Sequence, residues 1–544
     1  MLAAVKPKTT ATHSAKSWYL NKWLLALLSG ILLGISFPPS PAGWLIFIAF
    51  IPLLYITDTA DKKYKIYLCA GIAVSIWFII YLRSTFSLQT EFKTKLLLVG
   101  LYVIYAFATA LLFLLYDFLR RKFSGNISSL LFLPVLWLLY EYLIIQGNAP
   151  LSPFLLKDAF NNHPFLFNSS RLGGNAILSL YILLSNILLY ALLRKYAEVK
   201  LRMKFIYTLT GLHLIMFALN LLFSGERNVS GRAVVAAIQP NFNPYENVNE
   251  IVMAGRINRL KEISQQARMS GPKPDLYLWP ESSVQGVMID ADSLDYNPVV
   301  NYIKNLASDL DAPVLTGALI YRLYKSETDA TTTARKMNDN TGRYYDVFNA
   351  ALFVLPEGRV QIHYKTMQLP FVEKVPFSEY IGRVDWLKIS LGDAYPSYGQ
   401  GENKALLKYK QLSIATIICS EIISPEYIRK MNAKGANLLA VISNEGWAGK
   451  AASNQQFNAC IRGLAVQNER SVVKSSCNGP SVAVNSDGKI IRSLKYGEAN
   501  FLISEVDLLS ENNFYSRYGE IFSFVFIGIL LSLIFLENYK NRFR

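Results

Sequence analysis

The stretch IATIICSE, residues 414–421, decides how the second half of this chain folds. Ile414, Ala415, Thr416, Ile417 and Ile418 make a short apolar, β-branched run that stops at Cys419, Ser420 and Glu421. A run of this kind reads as a strand buried on both faces. Five more runs read the same way: 234–238, 275–278, 313–316, 351–354 and 438–442. Helical periodicity fills 248–269 and 297–310 between them. Buried strands alternating with helices predict an α/β domain. Gln239, Trp279, Gly317, Cys419 and Ser443 stand where apolar runs end. In open α/β sheets, chemistry collects at the carboxyl ends of strands. The polar stretch 325–345 reads as a solvated surface loop.

Working outward, the composition changes. The chain has 544 residues, of which 52% are apolar and 17% charged. That balance predicts a membrane-embedded part joined to a water-soluble one. Runs of spanning character lie near 23–37, 42–58, 65–82, 95–116, 128–147, 174–193, 205–223 and 519–537. A bilayer core needs ~20 apolar residues per helix. The first two runs are short, and Pro38, Pro39 and Pro41 lie between them, so a re-entrant pair is the alternative there. No A-x-A site follows the first run, which therefore does not read as a removable signal. The expected division is a seven-helix membrane domain over 1–227, a catalytic domain over 228–516, and an eighth helix with its tail over 517–544.

The net charge of +16 does not indicate a nucleic-acid binder. Such proteins gather Lys and Arg on one face. Here basic residues cluster in alternate connections: Lys62, Lys63 and Lys65; Arg120, Arg121 and Lys122; Arg194, Lys195, Lys200, Arg202 and Lys204. The N-terminal tail and the C-terminus carry more. The other connections hold only Arg83, Lys93, Lys95, Lys157 and Arg171. Positive residues stay on the cytoplasmic side. The pattern places both termini in the cytoplasm and 228–516 outside. Trp18, Tyr19, Trp23, Tyr140 and Tyr142 read as interfacial aromatics. Glu141 and Asp117 lie near span ends and read as hydrated. Four cysteines without CxxC spacing and four histidines argue against a zinc or iron–sulfur site. A Cys460–Cys477 disulfide stays open at this point.

Three residues at run ends supply an acyl-transfer chemistry. Glu281 follows Trp279-Pro280, Lys365 ends His363-Tyr364-Lys365, and Cys419 ends Ile417-Ile418-Cys419. A thiol attacks well as thiolate or with a base beside it. A carboxylate takes the proton, and an ammonium stabilises the oxyanion of a tetrahedral intermediate. Singly, each residue has an ordinary explanation: Cys419 as a small core residue, Glu281 as a helix-start acid, Lys365 as a surface lysine.

The motifs WPES (279–282), HYKTMQLPFVEKVPF (363–377) and IICSEI (417–422), in that order, resemble the carbon–nitrogen hydrolase, or nitrilase, superfamily. The spacing from Lys365 to Glu373, followed by Val375-Pro376, resembles the apolipoprotein N-acyltransferase family within it. So does a catalytic domain set between seven spans and one. The resemblance implies a nitrilase-like α-β-β-α sandwich beside a membrane α-helical bundle of eight spans. It implies Glu281 as base, Lys365 as oxyanion stabiliser and Cys419 as nucleophile. Glu373 matches a second active-site glutamate, and Glu421 the acidic residue two past the nucleophile. Asn444-Glu445-Gly446-Trp447 resembles an N-D-x-W turn with Glu445 in the Asp position. Ser420 stands where Tyr is common, and its backbone N–H suits an oxyanion hole. The segment 451–456 lacks a usual proline and histidine, and Gln467 replaces a common Glu.

The resemblance further implies a phospholipid acyl donor, a diacylglyceryl apolipoprotein acceptor, membrane lipid around the bundle, and no cofactor. It places a monomer in a bacterial inner membrane with its catalytic domain in the periplasm. The apolar stretch 378–404, with Trp386, Leu387, Ile389 and Leu391, reads either as a lid or as a packed loop. Two rival functions remain: a membrane-tethered amidase or nitrilase that gives its acyl group to water, and an inactive scaffold.

Overall fold

The computed structural model describes residues 21–88, 90, 92–123, 127–146, 155–194, 198–225, 227–331, 333–337, 342–369, 372–374, 397–401, 405–449 and 452–542. Most of 378–404, including its four large apolar residues, lies outside them, as do Trp18, Tyr19 and Lys195.

Helices of the membrane part are α1 (Lys22–Ile35), α2 (Ile51–Thr59), α3 (Lys63–Tyr81), α4 (Phe92–Lys122), α5 (Phe132–Gln146), the short α6 (Pro164–Phe167), α7 (Ser170–Arg194) and α8 (Val199–Leu222). One more, α14 (Ile521–Arg542), follows the catalytic part. Among the described residues, six segments are long and apolar enough to cross a bilayer: Lys63–Tyr81, Phe92–Lys122, Ser128–Gln146, Ser170–Arg194, Val199–Leu222 and Ile521–Lys540.

The first two expected spans fall short. Helix α1 has 14 residues, a rise of ~21 Å at ~1.5 Å per residue, against a core of ~30 Å. The second divides into a 3₁₀ turn, Gly43–Phe47, and the nine-residue α2. Prolines between them end the first helix, as the missing N–H of proline requires. The two nevertheless run antiparallel across the bundle. Lys22 at the start of α1 donates to the Thr59 carbonyl at the end of α2, 2.7 Å. Gly30 and Gly34 lie so close to α3 that a Cβ would stand 2.6 Å from the Ala73 oxygen and 2.7 Å from Ile80. The turn at Pro38 meets the end of α3, because Gln456 donates to both Pro38 and Tyr81 carbonyls, at 2.9 and 2.6 Å.

Glu141 and Asp117 are not hydrated. Glu141 is 2% exposed and accepts from Trp137 Nε1 and the Leu156 N–H. Asp117 is 1% exposed and pairs with Arg121 at 2.7 Å. Buried acids need such donors, since an unpaired polar group costs several kcal/mol.

Two sheets make the catalytic part. The first has the order β14-β1-β2-β4-β6-β5, with β3 on β4 and β7 on β6. Its strands are β1 (Gly231–Gln239), β2 (Leu276–Leu278), β3 (Val284–Asp290), β4 (Val314–Tyr324), β5 (Arg335–Lys336), β6 (Tyr344–Val354), β7 (Val360–Tyr364) and β14 (Asn500–Leu508). The second has the order β13-β12-β11-β10-β9-β8. Its strands are β8 (Leu407–Tyr409), β9 (Leu412–Ile418), β10 (Leu438–Ser443), β11 (Val472–Ser476), β12 (Val482–Val484) and β13 (Ile490–Ser493). Strand β5 lies inside 325–345, so that stretch is not wholly loop. Thr331 and Thr333 bond the buried Asp346 and tie it to β6.

Period-two alternation sends each strand's residues to two cores. Val235, Ala237, Leu278 and Leu315 meet Ile414, Ile418, Ala440 and Ile442 between the sheets. Ala236, Ile238, Tyr277 and Trp279 face α9 (Glu250–Met269) and α10 (Pro298–Leu310) on one outer side. Ile417, Leu439, Val441 and Val472 face α11 (Pro425–Ala433) and α12 (Ala452–Asn468) on the other. This is the α-β-β-α sandwich. Truncating a fully buried leucine such as Leu278 to Ala would cost about 2–5 kcal/mol. Helix α10 starts where Asn297 accepts from the Val299 and Val300 N–H groups, with Pro298 in its first turn.

Helix α12 rests on the bundle. Gly463 abuts Asn161 and Phe167, where a Cβ would lie 2.2 Å from Asn161 Oδ1. Arg171, at the start of α7, is fully buried and donates to Val466, Phe223 and Ser486 carbonyls and to Asp487. The short α13 (Phe514–Tyr518) then leads into α14.

Candidate active site

Glu281 leaves β2 after Trp279 and Pro280, and Ser282 behind it has φ 59°. The neighbouring strand must make room: a Cβ on Gly317 would stand 2.6 Å from Glu281 Cα. Lys365 follows β7. Cys419 ends β9 with φ 46° and opens a 3₁₀ turn to Ile423. Left-handed backbone at two non-glycine residues costs about 1 kcal/mol or more each and is kept where the surroundings enforce it. Glu281, Lys365, Cys419, Glu373, Asn349 and Trp447 share the lining of one cavity of about 80 Å³.

The charges in it are tightly bound to each other. Lys365 Nζ lies 2.9 Å from Glu373 Oε1 and 3.3 Å from Glu281 Oε1. Asn349 Nδ2 donates to the same two carboxylates, at 2.8 Å to Glu281 and 2.9 Å to Glu373. The Asn444 N–H donates to Glu281 Oε2 at 3.1 Å, and the Leu369 N–H to Glu373 Oε2 at 2.6 Å. Lysine and both glutamates are buried. Burial works against the Lys365 ammonium, yet the Glu373 and Glu281 carboxylates outweigh it and hold the group above its ordinary range. Burial also pushes the Cys419 thiol well above its usual range; Glu281 adds to this and Lys365 opposes it. The resting sulfur is therefore protonated at neutral pH, with a carboxylate and an ammonium sharing its cavity.

The other expected residues divide into wall and brace. Trp447 lines the cavity and meets Tyr245 edge to face at 5.1 Å. Asn444 acts through its backbone. Glu421 is fully buried and does not line the cavity; it accepts from Thr366 N–H and Oγ1, the Ile418 N–H and His363 Nε2, at 2.6–3.2 Å. It ties the end of β9 to the segment after Lys365. Burial opposes its charge, but His363 and the two N–H groups hold its carboxyl below the usual value. Ser420 donates its hydroxyl to the Met367 carbonyl at 3.0 Å, a second tie between the same segments.

Sequence reasoning misses Asn349 and Lys474. Each has a signal in hindsight: an amide amid the apolar FNAAL for Asn349, and a charged side chain within the fully buried strand VVKSS for Lys474. All four cysteines are free. Cys477 Sγ approaches the Glu281 carbonyl at 3.2 Å, on the far side of the base.

One wall of the cavity belongs to the membrane side. Val372 packs with Leu369 and Trp447 against Leu88 and against Leu97 and Leu98 of α4. Phe92 and Leu96, on the same turn of α4, are exposed. The site thus meets the bundle at an apolar seam.

A family model for carbon–nitrogen hydrolases matches residues 234–512, and one for the N-terminal domain of apolipoprotein N-acyltransferase matches residues 29–188. The apolipoprotein N-acyltransferase of Chlorobaculum tepidum is 24% identical over 557 residues, covering 98% of this chain and 99% of that relative. That of Geobacter metallireducens is 26% identical over 526 residues, covering 93% of each. Among solved structures, a Saccharomyces cerevisiae member of branch 10 of the nitrilase superfamily is 17% identical, covers 55% of this chain and 98% of its own, and has a TM-score of 0.37.

Proposed function

We propose, from the premise that this chain belongs to the carbon–nitrogen hydrolase family, that it is a membrane acyltransferase completing lipoprotein maturation. It takes an acyl chain from a phospholipid, holds it on Cys419, and gives it to the N-terminal amine of a diacylglyceryl-cysteine lipoprotein. The single observation that carries this reading is the cavity: a thiol, a paired ammonium and a carboxylate share it, walled by apolar residues that pack on α4. The matched N-terminal domain and the two near-full-length relatives support the same activity.

The steps follow from the groups present. Glu281 takes the Cys419 proton as sulfur attacks the sn-1 acyl carbonyl. The oxyanion forms against the Lys365 ammonium. On collapse the ester C–O bond breaks, Glu281 returns the proton to the leaving alkoxide, and a lysophospholipid departs. The lipoprotein amine then attacks the thioester. Glu281 accepts the amine proton and delivers it to the departing thiolate, leaving an amide. Glu373 and Asn349 hold Lys365 and Glu281 in register throughout. Both substrates carry acyl chains, and each buried CH₂ is worth ~0.8 kcal/mol. A site facing the bilayer lets them react without leaving it.

We assign 1–227 and 517–544 to the bundle and 228–516 to the catalytic domain on the outer, periplasmic side of a bacterial inner membrane. All eight segments cross, with both termini cytoplasmic. The antiparallel course of α1 and α2 supports this, because their two ends reach opposite faces of the bundle. So does the collection of Arg120, Arg194, Lys22 and Lys65 at the end away from the sandwich. Every member of the triad comes from one chain, so a monomer suffices.

The hydrolytic rival predicts acyl transfer to water. Protein supplied with labelled phospholipid and a diacylglyceryl lipopeptide should yield labelled amide. Free fatty acid as the main product, whether or not the lipopeptide is present, would overturn the acyltransferase reading.

A further inference from the structure

A second lysine–glutamate pair stands behind the first. Lys474 of β11 is fully buried, and its Nζ lies 2.6 Å from Glu445 Oε1. Glu445 Oε2 accepts from the Ser476 hydroxyl, which in turn accepts from the Gly479 N–H at 3.1 Å. The Lys474 ammonium lies over the Phe457 ring, 4.9 Å from its centroid. Glu445 opens the 3₁₀ turn Glu445–Ala448.

Both ends of that turn touch the site already described. Asn444, just before it, gives its N–H to the Glu281 carboxylate. Trp447, within it, walls the cavity. The turn is crowded as well: a Cβ on Gly446 would stand 2.2 Å from Asn478 Oδ1. The Lys474 ammonium and the Ser476 hydroxyl together hold the Glu445 carboxylate, and a buried carboxylate that loses its cation is costly.

We propose that Lys474 is a positioning residue for the reaction: through Glu445 it fixes the 444–447 turn, and so sets the N–H that orients the Glu281 base and the indole that walls the cavity. Burial pulls the Lys474 ammonium below its ordinary value while Glu445 opposes that pull, and the Cys419 sulfur lies within its electrostatic reach. Any change at Lys474 is therefore felt at the base, at the cavity wall and at the nucleophile. The inference rests on the acyltransfer reading only in taking Glu281 as base and Cys419 as the acylated sulfur.

The test is the pH dependence of acyl-Cys419 formation in full-length protein supplied with phospholipid vesicles. Variants are Lys474→Met, which keeps the aliphatic stem, and the double variant Lys474→Met with Glu445→Gln, which leaves no lone buried charge if the single variant fails to fold. A carboxylate that loses an N–H donor ionises less readily. The acidic limb of the acylation profile should move to higher pH in either folded variant. The acylation rate at neutral pH should fall about tenfold or more, on the scale of a lost hydrogen bond to a charged group. A folded double variant with the wild-type limb and wild-type rate would overturn the proposal, as would a rate loss with the limb unmoved, which marks a purely structural lysine. Wild-type protein that forms no acyl-Cys419 would instead overturn the acyltransfer reading.

Discussion

Two buried charge clusters sit at opposite ends of this molecule, and one of them lines the cavity that holds Cys419. At the bundle end away from the sandwich, Asp58 of α2 bonds Arg120 of α4, Arg194 of α7 and the Tyr190 hydroxyl. In the sandwich, Glu281, Glu373, Lys365 and Asn349 form the other. Both contain acids neutralised by cations, and both join elements distant in sequence. The first closes on itself and ties three helices. The second carries two carboxylates to one ammonium, opens on a cavity, and shares it with a protonated thiol. Burial of charge does not by itself make a site; an unmatched carboxylate beside a nucleophile and a place for substrate does.

That contrast is broken most directly at the sulfur. Cys419→Ser should lower acyl transfer by about four orders of magnitude or more, because the reaction loses its covalent carrier. Its thermal stability should stay near wild type. Transfer at more than a hundredth of the wild-type rate would return Cys419 to the status of a core residue.

Glu281→Gln comes next. Removing a general base costs about 10²–10⁴ in rate, so acyl-Cys419 should form about a thousandfold more slowly in single-turnover mass measurements. Asn349→Leu should cost less. It removes hydrogen bonds to both carboxylates while leaving all three triad members and the Lys365 bridge between them, and a loss of about 10–100-fold is expected, the scale of one charged hydrogen bond at about 1.5–3 kcal/mol. An activity assay that found Asn349→Leu silent would show that the triad holds its geometry without it.

Asp58→Asn sharpens the comparison from the other side. It should destabilise the bundle by about 3 kcal/mol or less, since Arg194 is 42% exposed and solvent screens part of its interaction. Activity per folded molecule should be unchanged. A rate loss in folded Asp58→Asn would join the two clusters functionally.

The smallest effect concerns pH. A thiol held above its usual range stays protonated through neutrality, so alkylation of Cys419 by iodoacetamide should be slow at pH 7 and still rising above pH 9. The sign for stability follows. The unfolded chain loses this proton at a lower pH than the folded one, so any contribution is present below the ordinary cysteine value and is lost as pH rises past it. Lys365, likewise raised, stabilises at every pH below the ordinary lysine value, and that contribution is lost only as pH rises past it. Alkylation that levels off near pH 7 would contradict the environment described for the sulfur.

Much of this was readable in local patterns, and what was not depended on contacts between distant residues. Glu281 and Cys419 stand where apolar runs become strands β2 and β9, whereas Lys365 follows β7, VQIHY, which is no such run, and stands out only through the motif around it. The six long spans are legible from length. The first two are shorter than their apolarity suggests, because apolarity does not report the rise lost at Pro38 and at the 3₁₀ turn Gly43–Phe47. Glu141 looks hydrated from its place near a span end, yet the chain folds back so that the Leu156 N–H covers it. Asn349 reaches Glu281 across 68 positions and Lys474 reaches Glu445 across 29. No periodicity records such pairings. The edge strands β8 and β13, and β12 beside the latter, have too few residues to announce themselves.

The central claim is a fatty-acyl thioester on one sulfur. Intact-protein mass spectrometry of the purified chain in phospholipid should show the mass of one fatty-acyl group, mapped to Cys419 and discharged when a diacylglyceryl lipopeptide is added. Protein that stays unmodified in donor lipid, or that carries the acyl group elsewhere while Cys419 remains a free thiol, would contradict the account.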